Sequence, residues 1–300
     1  MEEREIIKLE KEEWPEAFLT MPDPPKELFM EGKWPSEDFV YLTVVGSRKF
    51  SRYGEEVCQE LIAGLAGYPI AIVSGLAIGI DTIAHKAALK AKLPTIAFPG
   101  SWLDRSVLHP SSNKRLADEI IYAGGALVAE YEPKMPAGIH TFPKRNRLMA
   151  ALAKATLIIE AGDKSGTLIT ARLALDYNRE VLAVPGSIFN PGSKGTNSLI
   201  RLGATPITCP KDILEALGFA TPTDEELKQG NLFDNLNENE QKIVALLQVE
   251  PLPRDELILA SGLTAALANQ TLAVLEIKGL IKETLGEVRL SWLDCLVMFK

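Results

Sequence analysis

From residue 41 onward, short runs of β-branched and other apolar residues alternate with longer segments of helical periodicity. Such runs are typical of strands buried on both faces of a parallel sheet, and the helical segments supply the crossover connections. This alternation predicts an α/β fold with an extended, Rossmann-like, doubly wound and mostly parallel sheet. The predicted strands are Tyr41–Val45, Ile70–Ser74, Thr95–Phe98, Ala126–Ala129, Thr156–Ile159, Val181–Val184 and Thr205–Thr208. The predicted helices lie near residues 53–66, 79–91, 112–123, 144–154, 167–178 and 196–202.

The segments on either side of this core have different patterns. Residues 1–40 contain prolines and few periodic runs, so we expect an N-terminal arm that packs on the core formed by residues 41–217. The polar, turn-rich stretch 218–237 predicts a linker. Residues 238–300 predict a small winged-helix domain, because three helical patterns precede a glycine-tipped hairpin. Its helices are predicted at 239–248, 254–260 and 264–278, and its hairpin strands at Leu280–Leu285 and Val288–Trp292 around Gly286.

The charge of the chain is unevenly distributed. The formal net charge is −8, yet residues 41–208 contain 19 Lys and Arg against 13 Asp and Glu, a net charge of +6. Attraction of a phosphate depends on the local field, so the acidic total does not exclude a nucleic-acid ligand. The predicted helix 264–278 has Lys278 as its single cation. That scarcity favours a protein–protein or auxiliary role for the winged helix over insertion into a DNA groove.

Four turns follow predicted strands at their carboxyl ends, where open α/β sheets bind ligands. The first contains Gly46, Ser47 and Arg48. A small-residue turn before a helix exposes backbone N–H groups to an anion, and Arg48 adds a guanidinium. A tight turn with a solvated arginine is the alternative interpretation. The second turn contains Gly75 and Gly79, whose spacing does not match a dinucleotide-binding fingerprint.

The third and fourth turns add an aromatic ring and further cations. A ring flanked by cations suits the bases and backbone of a single strand, although a packed Phe before a basic helix gives the same pattern. The fourth turn lacks the spacing of a Walker A loop. Four such turns at one edge of the sheet predict a long rim of phosphate-binding groups. A rim of this length fits a polymer better than a single nucleotide. The residues concerned are Phe142, Lys144, Arg145, Asn146 and Arg147 in the third turn, and Lys164, Ser165, Gly166 and Thr167 in the fourth.

Residues suited to catalysis or metal binding are sparse. His85 and His140 have no serine or cysteine in a nucleophile elbow near them, so we interpret both as structural or binding residues. Asp81 and Glu130 are candidate paired carboxylates, but either can instead cap a helix or hold an arginine. The three cysteines are far apart and predict no zinc site. We therefore expect no catalytic residue, no metal, no cofactor and no enzymatic activity. The acidic N terminus and the shortness of the apolar runs predict a cytoplasmic protein without membrane contact.

Taken in order, the motifs resemble those of the DNA-processing protein A (DprA/Smf) family over residues 40–215. The arm and the winged-helix pattern also look like accessories of that family. Members often have Arg or Lys where this chain has Ile78, so one phosphate contact is expected to be missing or moved. The matching segments are Val45–Arg48, Ser74–Ala77, Gly79–Asp81, Ala84–His85, His109–Pro110 with Asn113, Phe142–Arg147, Ser165–Ala171, Val184–Ser187, Gly195–Ile200 and Gly203–Ala204.

The resemblance implies a homodimer that binds single-stranded DNA, protects incoming DNA in natural transformation and helps to load the RecA recombinase. It implies phosphate and base contacts by Arg48, by Phe142–Arg147 and by Lys164–Thr167. Arg48→Ala and Arg147→Ala are each expected to weaken binding of oligo-dT. The dimer surface is expected near helices 167–178 and 196–202. Two alternatives stay open: a nucleoside-monophosphate phosphoribohydrolase, which needs a glutamate where this chain has Thr170, and an interaction scaffold that binds no DNA.

Overall fold

The computed structural model describes residues 5–36, 38–220, 236–284 and 286–290. The chain divides into two compact units, Met1–Phe219 and Ala220–Lys300. Some sequence-based predictions lie outside the described residues. These are positions 1–4 and 37 of the arm, positions 221–235 of the linker, position 285 of the first hairpin strand, positions 291–292 of the second and the remaining positions 293–300 of the winged-helix domain.

The first unit is built on a nine-stranded sheet in the order β1-β2-β6-β5-β4-β3-β7-β8-β9. Strands β3 to β9 pair in parallel, which confirms the predicted doubly wound α/β fold. The order reverses at β3, which has β4 on one side and β7 on the other. The strands are β1 (Ile7–Leu9), β2 (Leu28–Gly32), β3 (Val40–Val45), β4 (Ile70–Ser74), β5 (Thr95–Ala97), β6 (Ala126–Ala129), β7 (Ala155–Ile158), β8 (Glu180–Ala183) and β9 (Thr205–Pro206).

Helices cover both faces of this sheet. Leu42, Val44 and Ile72 point to the face covered by α2, α3 and α8. Val45 and Val73 point to the other face, where α1, α5 and α6 pack. The alternation of side chains along each strand therefore gives a separate apolar core on each face, and a third apolar cluster forms where α4 packs on β5 and β6. The helices are α1 (Glu16–Thr20), α2 (Arg52–Ala63), α3 (Ile80–Lys90), α4 (Lys114–Tyr122), α5 (Thr141–Leu152), α6 (Thr167–Asp176), α7 (Lys194–Arg201) and α8 (Pro210–Ala216).

Part of the N-terminal arm lies in the sheet itself. β2 pairs antiparallel with β6, and β1 pairs antiparallel with β2. The sequence predicts an arm packed on the core, and the structure adds that two of its segments extend the sheet edge. These strands have three and five residues, too few to show a clear period-2 pattern between prolines. Helix α8 was likewise not predicted.

The second unit has the predicted winged-helix arrangement. Within residues 236–290, as far as the structure describes them, three helices precede a hairpin, and the sheet has the order β10-β12-β11. Among the described residues, no single helix is long and apolar enough to cross a membrane, although α10 and α11 pass that test as a pair bent by 115°. The elements are α9 (Glu238–Leu247), β10 (Leu252–Pro253), α10 (Arg254–Ser261), α11 (Ala265–Ile277), β11 (Ile281–Thr284) and β12 (Glu287–Leu290).

Candidate nucleic-acid interface

An open cleft of about 570 Å³ lies beyond the carboxyl ends of β3 and β7. This is the point at which the strand order reverses, where doubly wound sheets hold their ligands. Three of the four predicted turns supply most of its wall, and Ala77 and Asp81 from the second reach its floor. Ten predicted site residues line the cleft: Gly46, Ser47, Arg48, Phe142, Arg145, Asn146, Lys164, Ser165, Gly166 and Thr167.

The turn after β3 presents two cations. Gly46 packs against Ile80 so closely that a Cβ on it would be 2.7 Å from the nearest side-chain atom. The Ser47 hydroxyl donates to the carbonyl of Lys49 at 2.6 Å, which closes the turn on itself. Arg48 and Lys49 are both exposed and both line the cleft. Lys49 was not predicted, although its place beside Arg48 in the same turn could have indicated it.

The sequence predicts that backbone N–H groups at the amino terminus of α2 are free to bind an anion, and the structure differs from this prediction. Ser51 caps α2, and its Oγ accepts a hydrogen bond from Gly54 N–H. The buried Glu160 in turn accepts from Ser51 N–H at 2.9 Å and from Ser51 Oγ at 2.6 Å. A carboxylate therefore already occupies the positive end of this helix dipole. This corrects the expectation of free N–H groups at α2, and Arg48 and Lys49 carry the positive charge of the turn instead.

Phe142 forms an aromatic platform at the amino end of α5. The ring is half-buried and packs on Gly100, where a Cβ would approach it to 2.6 Å. The Arg48 guanidinium carbon lies 4.9 Å from the ring centroid, and the exposed His109 ring lies 5.8 Å away. A ring held between cationic and aromatic neighbours can stack a base while Arg48 reaches a phosphate.

The turn between β7 and α6 supplies the opposite wall. Lys164 is exposed, and Gly166 is the N-cap residue of α6 and provides no side-chain hydrogen bond to it. Ser165 Oγ accepts from Thr167 N–H at 3.2 Å, so part of the local amide set is used within the turn. The open start of α6 still directs its dipole toward the cleft, which favours an anion there.

Two buried ionisable side chains, Arg145 and Asp81, lie at the floor of the cleft. Arg145 lies over Gly75 and donates to the carbonyl of Phe98. Asp81 accepts from Gly75 N–H at 3.1 Å. Burial raises the pKa of Asp81, although the nearby Arg145 guanidinium opposes this shift. Burial also lowers the pKa of Arg145. The floor is thus a structural network rather than a pair of free groups.

Four predicted site residues do not line the cleft. Gly75 and Gly79 act as spacers, since a Cβ on either would collide with Arg145 or with the Ser47–Arg48 backbone. Lys144 is partly exposed and lies 3.8 Å from Glu130. Arg147 is buried and pairs with Glu130 and with Asp23. This burial corrects the expectation that Arg147 contacts phosphate directly, because its donors are committed inside the protein.

The side chains that the sequence offers as candidates for catalysis make structural contacts. His85 is buried in α3, where its Nδ1 lies 2.7 Å from the Thr95 hydroxyl, and burial lowers its pKa to about 3. Glu130 holds Arg147, and burial raises the pKa of this carboxyl while Arg147 opposes the shift. Asp81 and Glu130 are therefore each bound to separate arginine-containing networks. Of the two remaining histidines, His140 is exposed at the start of α5 and His109 contacts Phe142.

The two units also match known family models. A model of DNA recombination-mediator protein A matches residues 5–218, and a model of the DprA winged helix domain matches residues 233–286. The chain belongs to the DprA/Smf family. Protein Smf of Escherichia coli is 44% identical over 214 residues, which cover 71% of this chain and 57% of that protein. A putative DprA of Mycobacterium tuberculosis is 38% identical over 239 residues, which cover 79% and 61%. The chain thus spans about three fifths of these relatives, and the resemblance drawn from the motifs is confirmed.

Two solved DprA structures share the fold. The DNA processing protein A of Streptococcus pneumoniae superposes with a TM-score of 0.66 at 36% identity, covering 72% of this chain and 75% of that one. The protein from Helicobacter pylori, described for its unique single-stranded DNA binding mode, has a TM-score of 0.63 at 31% identity. That match covers 72% of this chain and 96% of the other.

Proposed function

We propose that this protein binds single-stranded DNA in the cleft at the β3–β7 switch point and acts as a recombination mediator. In this role it protects incoming DNA during natural transformation. The observation that carries the proposal is the convergence of Arg48, Phe142 and Lys164 on one open cleft. Two cations on opposite walls with an aromatic ring between them suit a sugar–phosphate backbone with unpaired bases.

The shape of the site supports a polymer over a mononucleotide. The cleft is open and is lined by three separate turns, so a strand can enter and leave it. The family assignment, and the single-stranded DNA bound by the Helicobacter pylori relative, support the same ligand. We further propose that the protein works in the cytoplasm as a homodimer, that it helps to load RecA and that it catalyses no reaction.

The enzymatic alternative is weakened by the residues at the start of α6. A phosphoribohydrolase of the related type needs a glutamate after the Gly-Thr turn, and Thr170 stands there in the cleft wall. Asp81 is a carboxylate in the cleft, but it is buried against Gly75 and Arg145. Release of free base from AMP by the purified protein would support the phosphoribohydrolase alternative. Failure to bind any oligonucleotide would support the alternative of an interaction scaffold that binds no DNA.

The decisive experiment compares two neighbouring arginines. Arg48→Ala removes an exposed guanidinium from the cleft, whereas Arg52→Ala removes one that pairs with Glu56 on the surface of α2. Because a charge-assisted hydrogen bond contributes about 1.5–3 kcal/mol, we expect Arg48→Ala to weaken oligo-dT binding at least roughly tenfold. Arg52→Ala should bind like the unmodified protein. Equal affinities for all three proteins in fluorescence anisotropy would contradict the proposal.

A further inference from the structure

A second concave surface adjoins the cleft. It is a groove of about 580 Å³ between α2 and α3. The same two turns form parts of both surfaces: Lys49 and Ala77 line the cleft, whereas Phe50 and Ile78 line the groove. Because these residues are consecutive in the chain, the groove begins where the cleft ends.

The boundary between cleft and groove consists largely of backbone. Gly79 lies directly against the first turn, where a Cβ would be 2.4 Å from the Ser47 carbonyl oxygen and 2.6 Å from Arg48 Cα. The Ile80 N–H donates to the Ser47 carbonyl at 3.2 Å and fixes this contact. A strand that leaves the cleft beside Arg48 therefore crosses a glycine-containing step and reaches Phe50.

The groove combines apolar surface with positive charge. Phe50 is 40% exposed and Ile78 is 49% exposed, which leaves two large apolar side chains in contact with solvent. Lys86 and Lys90 lie one helical turn apart on α3, and neither has an ion-pair partner within the described part of the chain. The acidic residue in the lining is Glu55 on α2, which accepts a hydrogen bond from Gln59 at 3.4 Å. The two positive charges of Lys86 and Lys90 exceed the single negative charge of Glu55, so the groove carries a net positive charge.

We propose that the groove binds the nucleotides that continue from those in the cleft on the same DNA strand. Bases pack on Phe50 and Ile78, and the phosphates that follow are neutralised by Lys86 and Lys90. Exposed aromatic surface beside cations suits unpaired bases of any sequence, since every base has a π-face. This inference rests on the proposed function of the cleft, and it adds a second subsite and a path for the strand beyond the cleft.

The test measures how affinity depends on oligonucleotide length and on salt. Lys86→Gln/Lys90→Gln removes two cations from the groove, and Lys11→Gln/Lys26→Gln removes two exposed cations from the N-terminal arm as a matched control. The groove variant should bind the shortest dT oligomers as before and lose affinity for longer ones. Its salt slope on long oligomers should fall by about 1.4, since each neutralised phosphate on a single strand contributes about 0.7.

Phe50 provides a second, direct readout. Phe50→Ala should weaken binding of long dT oligomers roughly tenfold through loss of base stacking, and Phe50→Tyr should restore it. A single 5-iodouracil in the oligomer should crosslink to Phe50. If the groove variants keep the length and salt dependence while Arg48→Ala loses binding, the groove proposal is wrong and the cleft proposal stands. If the unmodified protein binds no dT oligomer, the proposed function itself fails.

Discussion

At the residue scale, burial divides the cations of the interface into two roles. Arg48, Lys49 and Lys164 are exposed around the cleft, where a guanidinium or ammonium can exchange water for phosphate. Arg145 and Arg147 come from the same basic segment, yet both are buried and committed to protein oxygens. Residue type alone does not distinguish these roles, because an arginine satisfies a buried acceptor as well as a phosphate.

Arg147 and Lys144 both lie near the Glu130 carboxylate, so they allow a buried ion pair to be compared with an exposed one. The Arg147 and Glu130 side chains are 6% and 2% exposed, whereas Lys144 is 52% exposed and lies 3.8 Å from Glu130. We expect Arg147→Ala to lower the free energy of unfolding by about 3–5 kcal/mol, because it leaves a buried charge without its partner. Lys144→Ala should cost less than about 1 kcal/mol.

Urea denaturation followed by circular dichroism measures both losses. Arg147→Met/Glu130→Leu, which removes both charges, should recover much of the stability. Unchanged stability of Arg147→Ala together with weakened DNA binding would contradict the structural role and return Arg147 to the DNA interface.

His85 makes stability depend on pH. Burial lowers its pKa from 6.5 to about 3, so between these values the unfolded chain binds a proton that the folded protein does not. Stability should therefore fall as the pH is lowered through this window, by up to about 1.4 kcal/mol per pH unit from this group. His85→Gln should remove that contribution. Urea unfolding of both proteins across the window tests it, and parallel pH profiles would contradict the assignment.

At the scale of elements, the site depends on how the turns fit together. Gly79 has a φ of +90° and lies against the Ser47–Arg48 backbone. Asn113, which immediately precedes α4, holds the same region, since its amide donates to the carbonyl of Leu76 at 2.8 Å. The orientation of Arg48 is therefore set by two neighbouring turns as well as by its own.

Gly79 and Gly67 differ in what surrounds them. Both have positive φ, +90° and +87°, but a Cβ on Gly67 meets nothing within 4 Å. Gly67→Ala should cost only the strain of the left-handed region, about 1 kcal/mol. Gly79→Ala should cost about 1–3 kcal/mol more, because the Gly79 ψ of −136° also disfavours alanine and because Cβ displaces the Ser47–Arg48 turn. That displacement should also weaken oligo-dT binding. Equal thermal shifts and equal affinities for the two variants would show that the turn contact is unimportant.

The sequence predicts the positions of strands and helices better than it predicts the side-chain contacts made at their ends. The seven core strands and the turns after them follow from apolar runs and small residues, and the sheet edge gathers those turns as predicted. The occupation of the α2 terminus by Glu160 was not predictable, because this glutamate lies 109 residues from Ser51. Such pairings depend on register in the folded sheet, which a local pattern does not contain.

At the scale of the whole molecule, the two units differ in the surroundings of their cations. The cleft of the first unit keeps exposed cations, whereas two cations in the described part of the winged helix are paired within that unit. Lys278 donates to Glu240 at 2.7 Å, and Arg254 pairs with Glu276 and Glu283. The exposed face of α11 instead carries Val274 and the 87% exposed Ile277. A protein–protein or auxiliary role for the winged helix therefore stays a prediction.

The proposed homodimer can be tested on the surface of α6 and α7. Leu175 on α6 is 58% exposed and Leu202 at the end of α7 is 77% exposed. The neighbouring edge strand β9 has only two residues. Large apolar side chains in contact with solvent are costly in a monomer and typical of a subunit interface. Leu175→Glu/Leu202→Glu should therefore give a monomer in native mass spectrometry, since it places four buried charges across a two-fold interface.

The control for that experiment is Leu19→Glu, which adds a charge at a half-exposed leucine on α1. It should leave the dimer intact. Short dT oligomers should bind the monomeric variant as they bind the dimer, because the cleft is formed by one chain. Long oligomers that reach two clefts should lose affinity, since linking two sites raises the effective concentration at the second. A dimeric Leu175→Glu/Leu202→Glu protein would place the interface elsewhere, whereas a monomeric unmodified protein would contradict the dimer itself.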